Sequence, residues 1–295
     1  MSFRLALAGA GRMGRTHLCA LADSSDVVVS DVVEPVPEIR QELTGNGHRV
    51  HESLDGLLAD APPDGLLVAA PTRFHEEVVS SAVAAGVPVL CEKPAGLSAA
   101  QVARVGRMAA EAGVPLQVAY WRRHVPELRA LRERIRAGAL GEVHLVLAFQ
   151  WDEEPPAAAF RAASGGLFVD MGVHELDQLR WLTGREITGI AGVTSKGNGD
   201  EPDSAQALLT LAEGVAGVVS LGRYHPGGDV AGVEVFGTEG HERLVFLDPA
   251  HADAVLHQAL RRQAKAFAEH VRTGAPAGAS VEDAVAALDC AVRLT

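Results

Sequence analysis

Phe3-Arg4-Leu5-Ala6-Leu7-Ala8-Gly9-Ala10-Gly11-Arg12-Met13-Gly14 is the stretch on which the reading of this chain turns. An apolar run ends in a GxGxxG turn, and residues 12–22 then carry helical spacing. The three glycines have separate tasks. Gly9 permits the tight turn, Gly11 lets backbone approach a pyrophosphate at the positive end of the helix, and Gly14 lets helix pack on strand. Arg12 and Met13 fill the two positions between them at the helix start. A ribose-binding acid is expected about 20 residues further on, and Glu34 stands twenty residues beyond Gly14. Asp31 is the other candidate, but it lies inside the apolar run and is expected to face solvent or a neighbouring helix. Glu34 ends that run before Pro35, where a carboxylate reaches both ribose hydroxyls. Such a carboxylate repels a 2′-phosphate and favours NAD. NADP stays open because Arg12, Arg15 and Arg40 are near in sequence.

Outward from the turn, apolar runs at residues 27–33, 65–70, 87–91 and 114–119 alternate with helical patterns at 74–85 and 98–112. Continuous apolar strands separated by helices describe a parallel sheet covered on both faces. Residues 1–120 therefore read as a doubly wound α/β domain of the Rossmann type, binding NAD(P). Beyond 120 the pattern changes. A charged amphipathic helix at 127–137 and a turn at 138–141 precede strand-like runs at 143–151, 187–195, 205–211, 215–221, 230–236 and 243–247. Turn signals at Gly197-Asn198-Gly199 and Glu213-Gly214 separate several of these. This predicts an α+β domain over 121–295 with a large, mostly antiparallel open sheet and an inserted helix at 173–183. Residues 256–295 return to helix with a break at 274–279, and these terminal helices have room to pack back on the first domain.

Composition narrows the function classes. The 295 residues include 26 Lys and Arg against 38 Asp and Glu, a net charge of −12. That balance speaks against nucleic acid or an anionic membrane as partner. Aromatics at 4% leave little for a base-stacking surface. Cys19, Cys91 and Cys290 are too few and too scattered for a disulfide scaffold or zinc knuckle. The N-terminal segment lacks a basic leader and a small-residue cleavage pattern, and no run approaches the roughly 18 apolar residues of a membrane span. The expectation is a cytoplasmic protein.

Two further elements carry chemistry. Glu92-Lys93-Pro94 follows the strand-like run that ends at Cys91, and ligands in open α/β sheets lie outside the carboxyl ends of strands. A half-desolvated Lys93 there can donate to a hydroxyl or polarise a carbonyl. The alternative is a surface salt bridge of Glu92. In Gly165-Gly166-Leu167-Phe168-Val169-Asp170-Met171-Gly172-Val173-His174-Glu175-Leu176-Asp177, Asp170 and His174 share one helix face and have the ingredients of a general acid/base. Alternatives are a helix-starting Asp with a packed His, or a metal pair. The remaining histidines supply no ligand spacing, so no metal is expected. Asp177 reads as a surface or packing contact.

With these residues in view the chain resembles the glucose–fructose oxidoreductase/inositol dehydrogenase (Gfo/Idh/MocA) family. The resemblance rests on AGAGRMG from Ala8, AAPTRFH from Ala69, GVPVLCEKP from Gly86, SGGLFVDMGVHELDQLRWLTG from Ser164 and VFGTEG from Val235, with Tyr120-Trp121-Arg122-Arg123 at the junction. It implies hydride transfer between NAD(P) and a secondary alcohol or ketone of a cyclic polyol or sugar, the second domain binding substrate and mediating assembly. His174 would take the hydroxyl proton, Lys93 would hold and polarise the same oxygen, and Asp170 would orient the pair or bind an adjacent hydroxyl. Pro71, Thr72 and His75 match the family's cofactor-contacting loop, and Glu92 is placed near the nicotinamide ribose. Gln150 and Asp152 stand where substrate is often touched, although the acidic run Asp152-Glu153-Glu154 also reads as a solvated loop. Arg123 reads equally as a substrate contact or an interdomain salt bridge. The resemblance also implies a homodimer or homotetramer through the C-terminal sheet. Other functions open to this fold are a regulator that binds NAD(P) without turnover and a redox-assisted glycosidase.

Overall fold

The computed structural model describes residues 1–195, 197 and 202–295; of the turn expected at Gly197-Asn198-Gly199, Asn198 and Gly199 lie outside them. The first half runs β1 (Phe3–Ala8), α1 (Arg12–Leu21), β2 (Val27–Val33), α2 (Pro37–Gly45), β3 (Val50–His51), α3 (Leu54–Asp60), β4 (Gly65–Val68), α4 (His75–Ala84), β5 (Val89–Cys91), α5 (Ala99–Ala112) and β6 (Leu116–Val118). The rest is α6 (Pro126–Arg136), β7 (Val143–Trp151), α7 (Ala158–Arg161), α8 (Val173–Thr183), β8 (Ile187–Thr194), β9 (Ser204–Leu211), β10 (Ala216–Gly222), β11 (Val230–Gly237), β12 (His241–Leu247), α9 (Ala252–Thr273) and α10 (Val281–Val292).

The chain forms two compact units. In the first, six parallel strands take the order β3-β2-β1-β4-β5-β6, so strand order reverses where β1 and β4 lie side by side. β4 and β5 are buried along their whole length, which is why they read as unbroken apolar runs. Helix α5 shows how local chemistry sets the boundaries: Ser98 Oγ accepts from the Gln101 amide at its start, and Gly113 at φ 65° ends it. The core joins Phe3, Leu5, Leu7, Val27, Leu67 and Leu90 to Ala264, Phe267 and Ala268 of α9.

Helix α9 thus belongs with the first unit's core. The first unit comprises Met1–Trp121 with His257–Val285, and the second comprises Arg122–Leu256 with Ala286–Thr295. Within the first unit, Phe267 meets Phe3 edge-on with ring centroids 6.0 Å apart and completes the core under β1.

The second unit holds a six-stranded sheet in the order β12-β11-β7-β10-β9-β8. Its pairs are antiparallel except β7 with β10 at the centre. Helix α8 packs on β7 and β10, with α6 against α8 and β12. A five-residue π-helical turn, Phe168–Gly172, leads directly into α8.

Candidate active site

The first unit contributes a backbone cradle at the carboxyl ends of β1, β4 and β5. Gly9 has φ 94°, and a Cβ there would lie 2.7 Å from the Ala70 Cα just beyond β4. A Cβ on Gly14 would strike the Gly9 carbonyl oxygen, whereas one on Gly11 would meet nothing within 4 Å. Gly11 therefore leaves open space at the start of α1, whose first amides have no side-chain cap. An anion has room and donors there. Arg12 is exposed at this helix start and Met13 is half-buried.

Glu34 is 5% exposed, and its carboxylate closes the cradle. Oε2 accepts from the Ala10 amide at 2.9 Å and Oε1 from the Val36 amide at 3.0 Å. Each oxygen keeps a lone pair for a ribose hydroxyl. Asp31, expected to face solvent or a helix, is instead buried. It meets His51 Nε2 at 2.9 Å and Arg49 Nε at 3.3 Å, because β3 lies beside β2 at that level. Burial raises its carboxyl, but bonds from His51 and Ser30 and the Arg49 charge outweigh burial and hold it below the ordinary value.

Pro71 and Thr72 follow β4, and His75 opens α4. The His75 ring is buried, with Nδ1 2.9 Å from the Pro94 carbonyl and Nε2 2.7 Å from the Ala70 carbonyl. Burial pushes the imidazole down in pKa. A neutral ring has one N–H, so it donates to one of these carbonyls and sets its other nitrogen against the second. Glu92 is 4% exposed; its Oε1 lies 2.7 Å from His17 Nε2 and its Oε2 accepts from the Lys93 amide at 3.1 Å. Glu92 is thus a buried partner of His17, not a surface ion pair. Lys93 is half-buried, and its peptide bond to Pro94 is cis. His17, which sequence reasoning missed, sits on the buried face of α1 with Gly14, Ala20 and Leu21.

The second unit contributes a network of buried charges. Asp170 lies in the π-helical turn and its Oδ2 accepts from Arg223 Nη2 at 3.0 Å. Arg223 is fully buried. His174 follows in the first turn of α8 and is 6% exposed. Arg122 donates to Glu175 Oε1 at 2.5 Å, to Gln178 Oε1 at 3.2 Å and to Gln150 Oε1. Gln150 in turn donates to Asp152 Oδ1 at 2.7 Å. Arg123 grips Asp177 with two bonds, 2.9 Å from Nε and 2.5 Å from Nη2. Asp177 is accordingly a buried ion-pair partner and not a surface residue. Burial pushes the Asp152 carboxyl up to about 6, against the Gln150 bond and aided by the negative charges of Asp229, Asp170 and Glu175. Among the described residues no group of three or more His, Cys, Asp or Glu is arranged to hold a metal ion.

The backbone cradle of the first unit is that of a nicotinamide-dependent oxidoreductase. The profile described as "Oxidoreductase family, NAD-binding Rossmann fold" matches residues 3–120, and that of the GFO/IDH/MocA C-terminal domain matches residues 128–242. The chain belongs to the GFO/IDH/MocA oxidoreductase family, and its cofactor is NAD. It is 46% identical to the rhizopine catabolism protein MocA of Rhizobium meliloti over 99% of this chain and 94% of that protein. It is 29% identical to inositol 2-dehydrogenase of Rhizobium meliloti (strain 1021), over 99% of this chain and 97% of the other. The crystal structure of scyllo-inositol dehydrogenase from Lactobacillus casei with bound NAD(H) and scyllo-inositol shares the fold, with TM-score 0.90 at 23% identity, covering 100% of this chain and 96% of that one.

Proposed function

We propose that this protein oxidises a secondary alcohol of a cyclic polyol, or reduces the corresponding ketone, with NAD. The observation that carries the reading is Asp170 held by the fully buried Arg223 in the turn that leads into the His174 helix. A carboxylate and a histidine fixed on rigid elements serve proton transfer, for which a cofactor-binding regulator has no use. The dehydrogenase names of the relatives point to the same chemistry.

The cradle fits the cofactor. The α1 amides and Gly11 would hold the pyrophosphate, Glu34 the adenosine ribose, and the loops at Pro71–Thr72 and Glu92–Lys93 the nicotinamide end. NAD supplies the acceptor for the hydride that leaves the carbinol carbon. His174 takes the hydroxyl proton, and Asp170 orients it or binds a neighbouring hydroxyl. Lys93 donates to the oxygen as alkoxide character develops, so its charge acts on the transition state more than on the bound alcohol. Gln150, Asp152 and Arg123 shape the substrate side. Glu34 repels a 2′-phosphate, giving NAD preference over NADP.

We also assign assembly to the second sheet, where Val193, Leu208 and Val245 are exposed at 66%, 67% and 41% and a second copy would cover them. A cytoplasmic setting is part of the same reading and rests on the three free cysteines. The test is absorbance of reduced nicotinamide with a panel of inositols and aldoses. NADH formation with at least one cyclitol is expected. Tight NAD binding without turnover on any member would overturn the reading.

A further inference from the structure

We propose that His17 and His75 are positioning residues for Lys93, two buried imidazoles that pin the residues on either side of the lysine to the walls of the cofactor cradle. This rests on the assignment of Lys93 to the reacting oxygen.

Lysine carries its charge on a flexible four-carbon stem, so the placement of its ammonium begins with a fixed backbone. The sheet supplies little of that. After the Glu92 amide donates to the Val68 carbonyl, the chain leaves β5, and Pro94 has no N–H to give. The anchors of the segment are side chains. On one flank, the Glu92 carboxylate bridges His17 Nε2 at 2.7 Å and the Lys93 amide at 3.1 Å. On the other, the Pro94 carbonyl faces His75 Nδ1 at 2.9 Å. His17 and His75 are each 1% exposed and Glu92 is 4% exposed, so water offers no ready substitute for either link.

The far ends of both links lie in the cradle. His17 is on α1, one turn beyond Gly14. His75 Nε2 meets the Ala70 carbonyl at 2.7 Å, and Ala70 is the residue against which Gly9 packs. The geometry therefore ties the lysine segment to the pyrophosphate helix on one side and, through His75 Nδ1, to the start of α4 on the other. The tautomer of His17 follows from its surroundings: Nε2 faces a carboxylate and Nδ1 is buried without a hydrogen-bond partner, so the proton sits on Nε2.

The two nitrogens of His75 can be separated by isosteric amides. His75→Asn places an amide nitrogen where Nδ1 faces Pro94 and drops the Ala70 link. His75→Gln places it where Nε2 faces Ala70 and drops the Pro94 link. A neutral His75 has a single N–H, and the clamp requires it on Nδ1 toward Pro94: His75→Asn keeps that donor and His75→Gln removes it, whereas a ring donating to Ala70 would be mimicked by His75→Gln instead. Positioning of Lys93 predicts a kcat at least about tenfold lower for His75→Gln than for His75→Asn, since misplacement by about 1 Å costs on the order of 100-fold. His17→Ala should lose kcat about 10–100-fold, and His17→Gln, which keeps a donor for Glu92, should recover most of it. In all four variants NADH affinity, by fluorescence titration, should stay within about threefold, less than 1 kcal/mol.

Equal kcat for His75→Asn and His75→Gln, normal turnover by His17→Ala, or parallel losses of kcat and NADH affinity would each overturn the proposal. If the His75 variants fail to fold, the His17 pair decides. Lys93→Ala measured alongside separates the two readings. Wild-type turnover by Lys93→Ala removes the lysine assignment itself, whereas an inactive Lys93→Ala with normal histidine variants removes only the clamp.

Discussion

The two units build their functional groups from different materials. In the first, the shaping atoms are backbone: Gly9 against Ala70, open space at Gly11, and the Ala10 and Val36 amides on Glu34. In the second, they are guanidinium–carboxylate pairs, Arg122 with Glu175, Arg123 with Asp177 and Arg223 with Asp170, all with little or no exposure on the arginine side. A backbone cradle is specified locally and fails through a misplaced Cβ. A charge network is specified by partners far apart in the chain and fails when one partner is left buried alone.

That contrast can be broken or sharpened by substitution. The largest effect is expected at Lys93: Lys93→Ala should cut kcat about 100- to 10,000-fold, the range for a group acting on the transferred proton and its oxygen, with NADH binding retained in a fluorescence titration. Next, Arg122→Met leaves Glu175 buried without its cation and should cost about 3–5 kcal/mol in urea denaturation. A loss below about 1 kcal/mol, the value of an exposed pair, would mean that the second unit does not depend on its ion pairs.

A smaller loss is expected in the cradle. Gly11 has a φ of −69°, open to any residue, so Gly11→Ala should leave Tm unchanged. It should weaken NAD binding about 10- to 100-fold, equivalent to the roughly 1–3 kcal/mol of an overpacked contact. Unchanged affinity would remove the cradle assignment. The smallest effect concerns pH. The Asp152 carboxyl titrates near 6 in the folded chain, above its ordinary 3.8, so the native state binds the extra proton and stability falls as pH rises through about 6. Asp152→Asn should be more stable than wild type at pH 7.5 by about 1–2 kcal/mol, with the gain gone near pH 4. Thermal melts at the two pH values test the sign.

The same contrast explains what could be read in the sequence. Strands Phe3–Ala8, Val27–Val33 and Val143–Trp151 are evident as runs rich in apolar and β-branched residues, and Phe3–Ala8 is buried almost throughout. The glycine turn and Lys93 are evident because backbone constraints leave spacing signatures. Helices Pro37–Gly45 and Leu54–Asp60 and the two-residue β3 escape notice: each helix buries a single leucine, and β3 is too short to show a period. Arg223, Glu175 and His17 escape for another reason. Their partners are 53, 53 and 75 residues away, and nothing in the local pattern of a helix or strand announces a neighbour from another element. The π-helical turn that carries Asp170 has no signature in residue spacing either.

The return of His257–Val285 to the first unit has a consequence for biosynthesis. Both units are split in the gene, their segments alternating along the chain. The core of the cofactor unit lacks Phe267 until the ribosome has passed most of the chain, which at about 5–20 residues per second delays completion by about ten seconds or more. Most of the second unit emerges during that interval, but its last ten residues, Ala286–Thr295, follow the first unit's closing segment, so neither unit is complete until the chain is nearly finished, and NAD binding becomes a late event in the life of the nascent chain.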